Sequence, residues 1–302
     1  MHVIAAFPES GAGEDCPLDA PDDCGVPIGT PIELRLDRYL LPSSVSRQAV
    51  TIFTGAPTNG LFVAPSYDVL ERVVTFRPAY GSQLTPGVVY QVELTLPDQD
   101  MSGSGLRAFD GAPLEKGRIP LKWSFRTSRV GVQPVAAPPA PSCAEAVKTL
   151  ADGGCARCHT GRRDSPMGLD LASTGGLEHT AVAHVAHEAS NWATPGSALG
   201  APPRFGSAMT ILSPGNPSAS YLLYKLLVNP KNFGGDGACA TTHQVRLPAG
   251  ECLVASEDER DRLEGWFVSG DPMPPGEGAL PGGVRDLQTL IGFIQSSTSQ
   301  CQ

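Results

Sequence analysis

A chain of 302 residues with 34 Gly and 29 Pro but only 18% charged and 6% aromatic residues has room for two ordinary domains. Its net charge of −9 argues against nucleic acid or an anionic membrane surface as the main partner. No run of roughly 18 apolar residues is present to span a bilayer, and the mix suits a loop-rich, β-containing extracellular protein better than a helical cytosolic enzyme.

The opening stretch, MHVIAAFPESGAGEDC, lacks both the basic start and the apolar centre of a signal peptide. The chain is therefore expected to begin after such a leader has been removed, with an upstream lipid anchor left open. Residues 1–24 read as a loop segment in which Cys16 and Cys24 lie close enough in sequence to pair.

From 25 to 131 the pattern is that of short strands. PIELRL at 31–36, VTIFT at 50–54, VVTF at 73–76, VVYQVEL at 88–94 and LKWSFRT at 121–127 carry the alternation of half-buried strands. About seven such strands in roughly a hundred residues predict an all-β sandwich. It contains no catalytic constellation, and Asp98, Asp100 and Asp110 read as loop acids. The stretch VQPVAAPPAPS at 132–142 has few groups able to build a core and reads as a semi-rigid, polyproline-like linker.

Residues 143–302 are predicted to be mostly helical. Ser142 followed by Glu145 forms a capping box for a helix starting at Cys143. Further helices are expected over 218–228, over 256–268 with Leu263, Trp266 and Phe267 on the apolar face, and over 284–295 with Leu287, Leu290, Ile291 and Ile294 at helical spacing.

Between the first two of these helices lies Cys155-Ala156-Arg157-Cys158-His159, and C-x-x-C-H is the attachment signature of a c-type haem. Two thiols at this spacing can add to the two vinyl groups of one haem, and the adjacent imidazole can ligate the iron. A zinc site would need a second ligand pair, for which His184 and His187 are the lone H-x-x-H; a thioredoxin-like dithiol would need a βαβ context that the Gly- and Arg-rich flanks do not provide. The remaining six cysteines form an even set for disulfides, for which locality favours Cys16–Cys24 and Cys239–Cys252, leaving Cys143–Cys301. Thioether-bound haem and disulfides together imply an oxidising compartment, periplasmic or extracellular.

Two resemblances extend this reading. Leu41-Pro42-Ser43-Ser44-Val45, then Thr75-Phe76-Arg77-Pro78 running on to Leu84-Thr85-Pro86-Gly87-Val88-Val89-Tyr90, then Trp123-Ser124-Phe125-Arg126-Thr127, resemble the bacterial Ig-like domains of surface-layer proteins. That resemblance implies a sandwich fold and a spacer or docking role. The second is carried by the C-x-x-C-H followed by Gly168-Leu169-Asp170-Leu171, Leu212-Ser213-Pro214-Gly215-Asn216-Pro217 and Ser220-Tyr221-Leu222-Leu223-Tyr224-Lys225-Leu226. Together these are similar to class I-like periplasmic monohaem cytochrome domains, and imply a cytochrome c-like domain over 143–302.

In that family a Met-Pro step supplies the ligand opposite the His. Here Arg246-Leu247-Pro248-Ala249-Gly250 stands where Arg-Met-Pro is expected, and Leu cannot ligate iron. The next Met-Pro, Met273-Pro274, makes Met273 the favoured second ligand; Met209, His184, His187, His243 and an open iron site are the alternatives, with Met167 too near the motif. Leu169, Leu171, Phe205, Leu222, Leu226 and Trp266 are candidates to wrap the porphyrin or simply to fill the core, and Arg157, Arg162 and Arg163 to meet the propionates. The expected function is electron transfer through one covalently bound haem C, cofactor sites Cys155 and Cys158, axial ligands His159 and Met273, with redox proteins of the periplasm or cell surface as partners. An electron carrier is favoured over an enzyme. The alternatives are a haem enzyme with an open distal site for peroxide or small gases, and an Ig-like binding protein with an accessory haem.

Overall fold

A computed structural model describes residues 1–17, 21–79, 83–97, 104–130, 139–162, 168–186, 209–268, 271–296 and 301. The chain divides into two compact units: Met1–Ala137 together with Thr241–Glu251, and Pro138–Ala240 together with Cys252–Gln302. The first unit is an Ig-like β-sandwich and the second is built from helices and long loops. No helix among the described residues is long and apolar enough to cross a membrane.

The sandwich holds β1 (Val3–Phe7), β2 (Ile32–Leu36), β3 (Val50–Phe53), β4 (Val63–Asp68), β5 (Val73–Pro78), β6 (Val89–Leu94) and β7 (Lys122–Arg126). They form one antiparallel sheet ordered β1-β2-β5-β4 and a second ordered β3-β6-β7. Successive side chains on a strand point to opposite faces. In the second sheet this puts Ile52, Val92, Trp123, Tyr90 and Phe125 in the core and leaves Thr51, Glu93, Lys122 and Ser124 on the other face. Tyr90 stacks on Phe125 with ring centroids 5.8 Å apart.

Two strands depart from the expected layout. Val3–Phe7 pairs antiparallel with β2, so residues 1–24 are not merely a loop. Its VIAAF sequence lacks alternation, and only the pairing with β2 makes it a strand. β4 reads VAPSYD, with a proline and too few apolar residues to signal a strand; as an edge strand it needs ladder bonds on one side only, which tolerates Pro65.

β2 is buried along its whole length, including Glu33 and Arg35. Ile32, Leu34 and Leu36 enter the sandwich core, whereas Glu33 and Arg35 point to the opposite face. The segment Thr241–Glu251 belongs to this unit and covers that face, so residues 143–302 do not form one uninterrupted domain. Of the expected linker 132–142, positions 132–138 lie outside the described residues.

The second unit contains α1 (Cys143–Asp152), α2 (Thr174–Thr180), α3 (Tyr221–Leu227), α4 (Glu257–Trp266) and α5 (Val284–Gln295). α1 opens on the capping box: Ser142 Oγ accepts from the Glu145 amide, and the Glu145 carboxylate accepts from the Ser142 amide. α1 packs on α5 and α2. α3 is buried at all seven positions, and Tyr221 and Tyr224 both meet the ring of Phe267 edge-on, with centroids 5.2 Å apart. The helix expected over 218–228 is split, with a 3-10 turn at Pro217–Ala219 preceding α3. α4 buries Leu263 and the following Phe267, but Trp266 is 40% exposed and leaves the expected apolar face. α2, with two glycines in seven residues, carried too weak a helix pattern to be predicted.

Disulfides join Cys16 to Cys24 and Cys239 to Cys252, the pairs that locality favours, and Cys143 to Cys301, the pair these leave over.

Candidate functional site

The C-x-x-C-H segment follows α1 directly. Gly153 ends the helix, and Gly154 takes a left-handed conformation at φ 82° that turns the chain into a 3-10 turn at Cys155–Arg157. The amides of Cys158 and His159 both donate to Cys155 O, at 3.3 and 3.0 Å, so the two cysteines and the histidine form one closed turn. The stretch after it is pinned to Gly168-Leu169-Asp170-Leu171: Leu171 N donates to His159 O at 2.9 Å and Gly161 N to Leu169 O at 3.1 Å.

Neither Cys155 nor Cys158 takes part in a disulfide; Cys155 is buried and Cys158 exposed. Burial pushes the Cys155 thiol up to about 11. A nucleophilic redox dithiol needs the opposite, a thiol held low so that thiolate forms near neutrality. Formation of a thioether makes no such demand on the folded protein.

Met273 sits on a proline-rich loop, half-buried, and its amide donates to Lys225 O at 3.0 Å. Its carbonyl accepts from Asn232 Nδ2 at 2.9 Å, and Asn232 Oδ1 accepts from Leu280 N at 2.8 Å. A methyl group added to Gly153 would stand 2.7 Å from Leu280 Cδ2, so the chain just before Cys155 lies against the chain just after the Met273 loop.

Met209 is buried and its carbonyl accepts from Ala186 N at 2.9 Å, while His184 is exposed. Leu171, Leu222 and Leu226 are buried, Leu169 is partly so, and Arg157 and Arg162 are exposed. His187, Met167, Arg163, Phe205, Asp98 and Asp100 lie outside the described residues. Asp110 is a loop acid that pairs with Arg38 at 2.8 Å.

His243 has both ring nitrogens engaged by carboxylates. It lies in the first unit, with Nδ1 3.1 Å from Glu33 Oε1 and Nε2 3.1 Å from Asp68 Oδ2. Burial alone would lower its pKa, but the bonds to Asp68 and Glu33 outweigh that and hold it at about 9. Beside it, Arg35 meets Glu71 at 2.9 Å with side-chain exposures of 0% and 1%. Sheet register explains the gathering: Glu33 lies opposite Thr75, which lies opposite Ser66, and Arg35 opposite Val73, which lies opposite Asp68, so both rows share one face. Donor atoms of Asp68, Glu71 and His243 lie within 4.8 Å of one another, a spread that a cation could bridge. Each is already engaged, however: Glu71 by Arg35, Thr241 and Thr242, Asp68 by His243 and two backbone amides. The cluster is a charge network that seats Thr241–Glu251 on the sheet. Two charged residues at alternate positions of an otherwise apolar strand were its only sequence signal; the segment that covers them lies more than 200 positions away.

The architecture is thus an Ig-like sandwich joined in sequence to a helical unit bearing the cysteine–histidine turn. Residues 4–127 match the family of the bacterial Ig-like domain. Among solved structures, the N-terminal part of the bacterial S-layer protein SbsC is similar at 15% identity over 36% of this chain and 22% of that one, with a TM-score of 0.25. A structure of surface layer protein SbsC, domains 1-6, is similar at 15% identity over 38% of this chain and 15% of that one, with a TM-score of 0.26. The chain therefore spans less than a quarter of these relatives' length. No curated protein matches it.

Proposed function

We propose that the protein is an electron carrier of the periplasm or cell surface, holding one haem C through Cys155 and Cys158 with His159 and Met273 as axial ligands. The observation that carries this reading is the division of the eight cysteines: six are joined in disulfides, and the two kept out are those of the C-x-x-C-H. A chain matured where thiols oxidise would not leave two cysteines on one turn as thiols without a use for them.

Haem bound there supplies one-electron chemistry at its iron. The chain's own contribution is attachment and restraint. Cys155 and Cys158 would hold the group covalently, His159 is fixed by its backbone bonds to Cys155 and Leu171, and Met273 is carried on a loop braced by α3. The Ig-like sandwich serves as spacer or dock. Its match to the bacterial Ig-like family and the three disulfides support a location in the cell envelope or outside the cell.

The test is production in a host able to attach haem, read by intact mass, denaturing-gel haem stain and the absorption spectrum. The expected result is one haem retained through denaturation, lost when both Cys155 and Cys158 are replaced by Ala. The oxidised protein should show the weak far-red band of methionine–iron(III) ligation, and Met273→Ala should abolish it. A disulfide-intact protein that retains no haem would overturn the reading; carbon monoxide binding readily to the reduced protein would favour the open-site haem enzyme instead.

A further inference from the structure

We infer that Lys225, Asn229 and Asn232 form a positioning frame for Met273 and set how firmly its thioether is held for ligation, an inference that rests on Met273 being the second haem ligand.

The loop that carries Met273 cannot brace itself. Of residues 271–276, Asp-Pro-Met-Pro-Pro-Gly, three are prolines with no amide hydrogen, so the loop has carbonyls to satisfy and few donors of its own. The donors arrive from α3 and the turn after it. Lys225 Nζ donates to Asp271 O at 2.9 Å. Asn232 Nδ2 donates to Met273 O at 2.9 Å and to Leu226 O at 2.8 Å. Asn229 Nδ2 donates to Pro274 O and to Gly278 O, each at 3.1 Å.

These side chains are in expensive places. Lys225 is 7% exposed, Asn229 4% and Asn232 0%, and a polar group buried to that degree costs free energy unless it is hydrogen-bonded. Three of them spent on the carbonyls of one short loop amount to a frame. Met273 is held at both backbone groups, its amide by Lys225 O and its carbonyl by Asn232. The frame grips backbone only, so it fixes where the residue sits without engaging the sulfur. Its far end reaches Leu280, whose amide Asn232 also binds and whose side chain abuts Gly153 beside the cysteine turn.

In the haem-loaded full-length protein, Lys225→Met and Asn232→Ala each remove donors from the loop while leaving the thioether in place. Losing one such bond should raise the affinity for added imidazole, which competes for the methionine's position, by about fivefold to tenfold. The far-red band should weaken in parallel, while far-ultraviolet dichroism and the covalent haem content stay as in the parent. A role in general stability alone would leave imidazole affinity unmoved in the folded protein. Lys225→Met is nearly isosteric and keeps the test open if Asn232→Ala fails to fold. If both bands and affinities match the parent within about twofold while Met273→Ala loses the band, the frame is refuted and the ligand assignment stands. If Met273→Ala keeps the band, the ligand assignment fails and the frame with it.

Discussion

His243 Nδ1 stands 3.1 Å from Glu33 Oε1, across 210 positions of the chain. Its other ring nitrogen is 3.1 Å from Asp68 Oδ2, and the three side chains are no more than 23% exposed. An imidazole between two carboxylates is an electrostatic clasp that works only while it carries its proton.

The clasp predicts an alkaline loss of stability in the first unit. The folded pKa of His243, about 9, lies above its ordinary 6.5, so its contribution is complete below about 6.5 and disappears as pH rises through about 9. Glu33 acts at the other end: although burial works against it, its bonds to His243, Val245 and Gln244 hold its pKa below the ordinary 4.5. Its contribution is present above that value and lost as pH falls through the lowered one. Denaturant unfolding across pH should show a plateau from about 4.5 to 6.5, then a decline on the order of 3 kcal/mol by pH 9. His243→Gln should remove the alkaline decline. An unchanged slope in that variant would refute the clasp.

Arg35 and Glu71 predict a cost of a different kind. Their ion pair is fully enclosed, and Arg35 also donates to Glu71 O, Thr241 Oγ1 and Val245 O. Removing one partner strands a buried charge, so Arg35→Ala should destabilise the protein by about 3–5 kcal/mol. Replacing both with apolar side chains, Arg35→Met with Glu71→Leu, should cost clearly less than the two single changes summed. Unfolding midpoints of the four proteins measure the coupling, and simple additivity would contradict it.

The disulfides should differ by the length of chain they close. Cys143–Cys301 spans 158 residues and Cys239–Cys252 spans 13. On the chain-entropy argument, loss of the first should cost about 5 kcal/mol and loss of the second about 3 kcal/mol. Paired Cys→Ser variants, unfolded in guanidinium, test the order; equal costs would point to effects in the folded state instead.

Much of the fold was legible because its signals are local. The alternation in β2, β3, β5, β6 and β7 needs only neighbouring residues to read, and so do the Ser142–Glu145 capping box and the spacing of Leu287, Leu290 and Ile294 along α5. β1 and β4 were not legible, since VIAAF and VAPSYD lack the alternation and become strands only through the neighbour each pairs with. The C-x-x-C-H turn was fully visible, as five consecutive residues. The braces of the Met273 loop were not: Lys225 and Asn232 sit in segments that give no hint of which carbonyls, more than forty positions on, their side chains will meet.

By itself the amino-acid sequence determined the strand and helix periodicities, the cysteine–histidine turn and the proline-rich loop that carries Met273, because each depends on spacing within a few residues. Tertiary structure alone decided that Thr241–Glu251 seats on the Ig-like sheet, that His243 serves Glu33 and Asp68, and that Asn232 grips Met273. The physical reason is common to all three. A buried polar group must find a partner wherever the fold brings one, and side-chain spacing along the chain does not encode that distance.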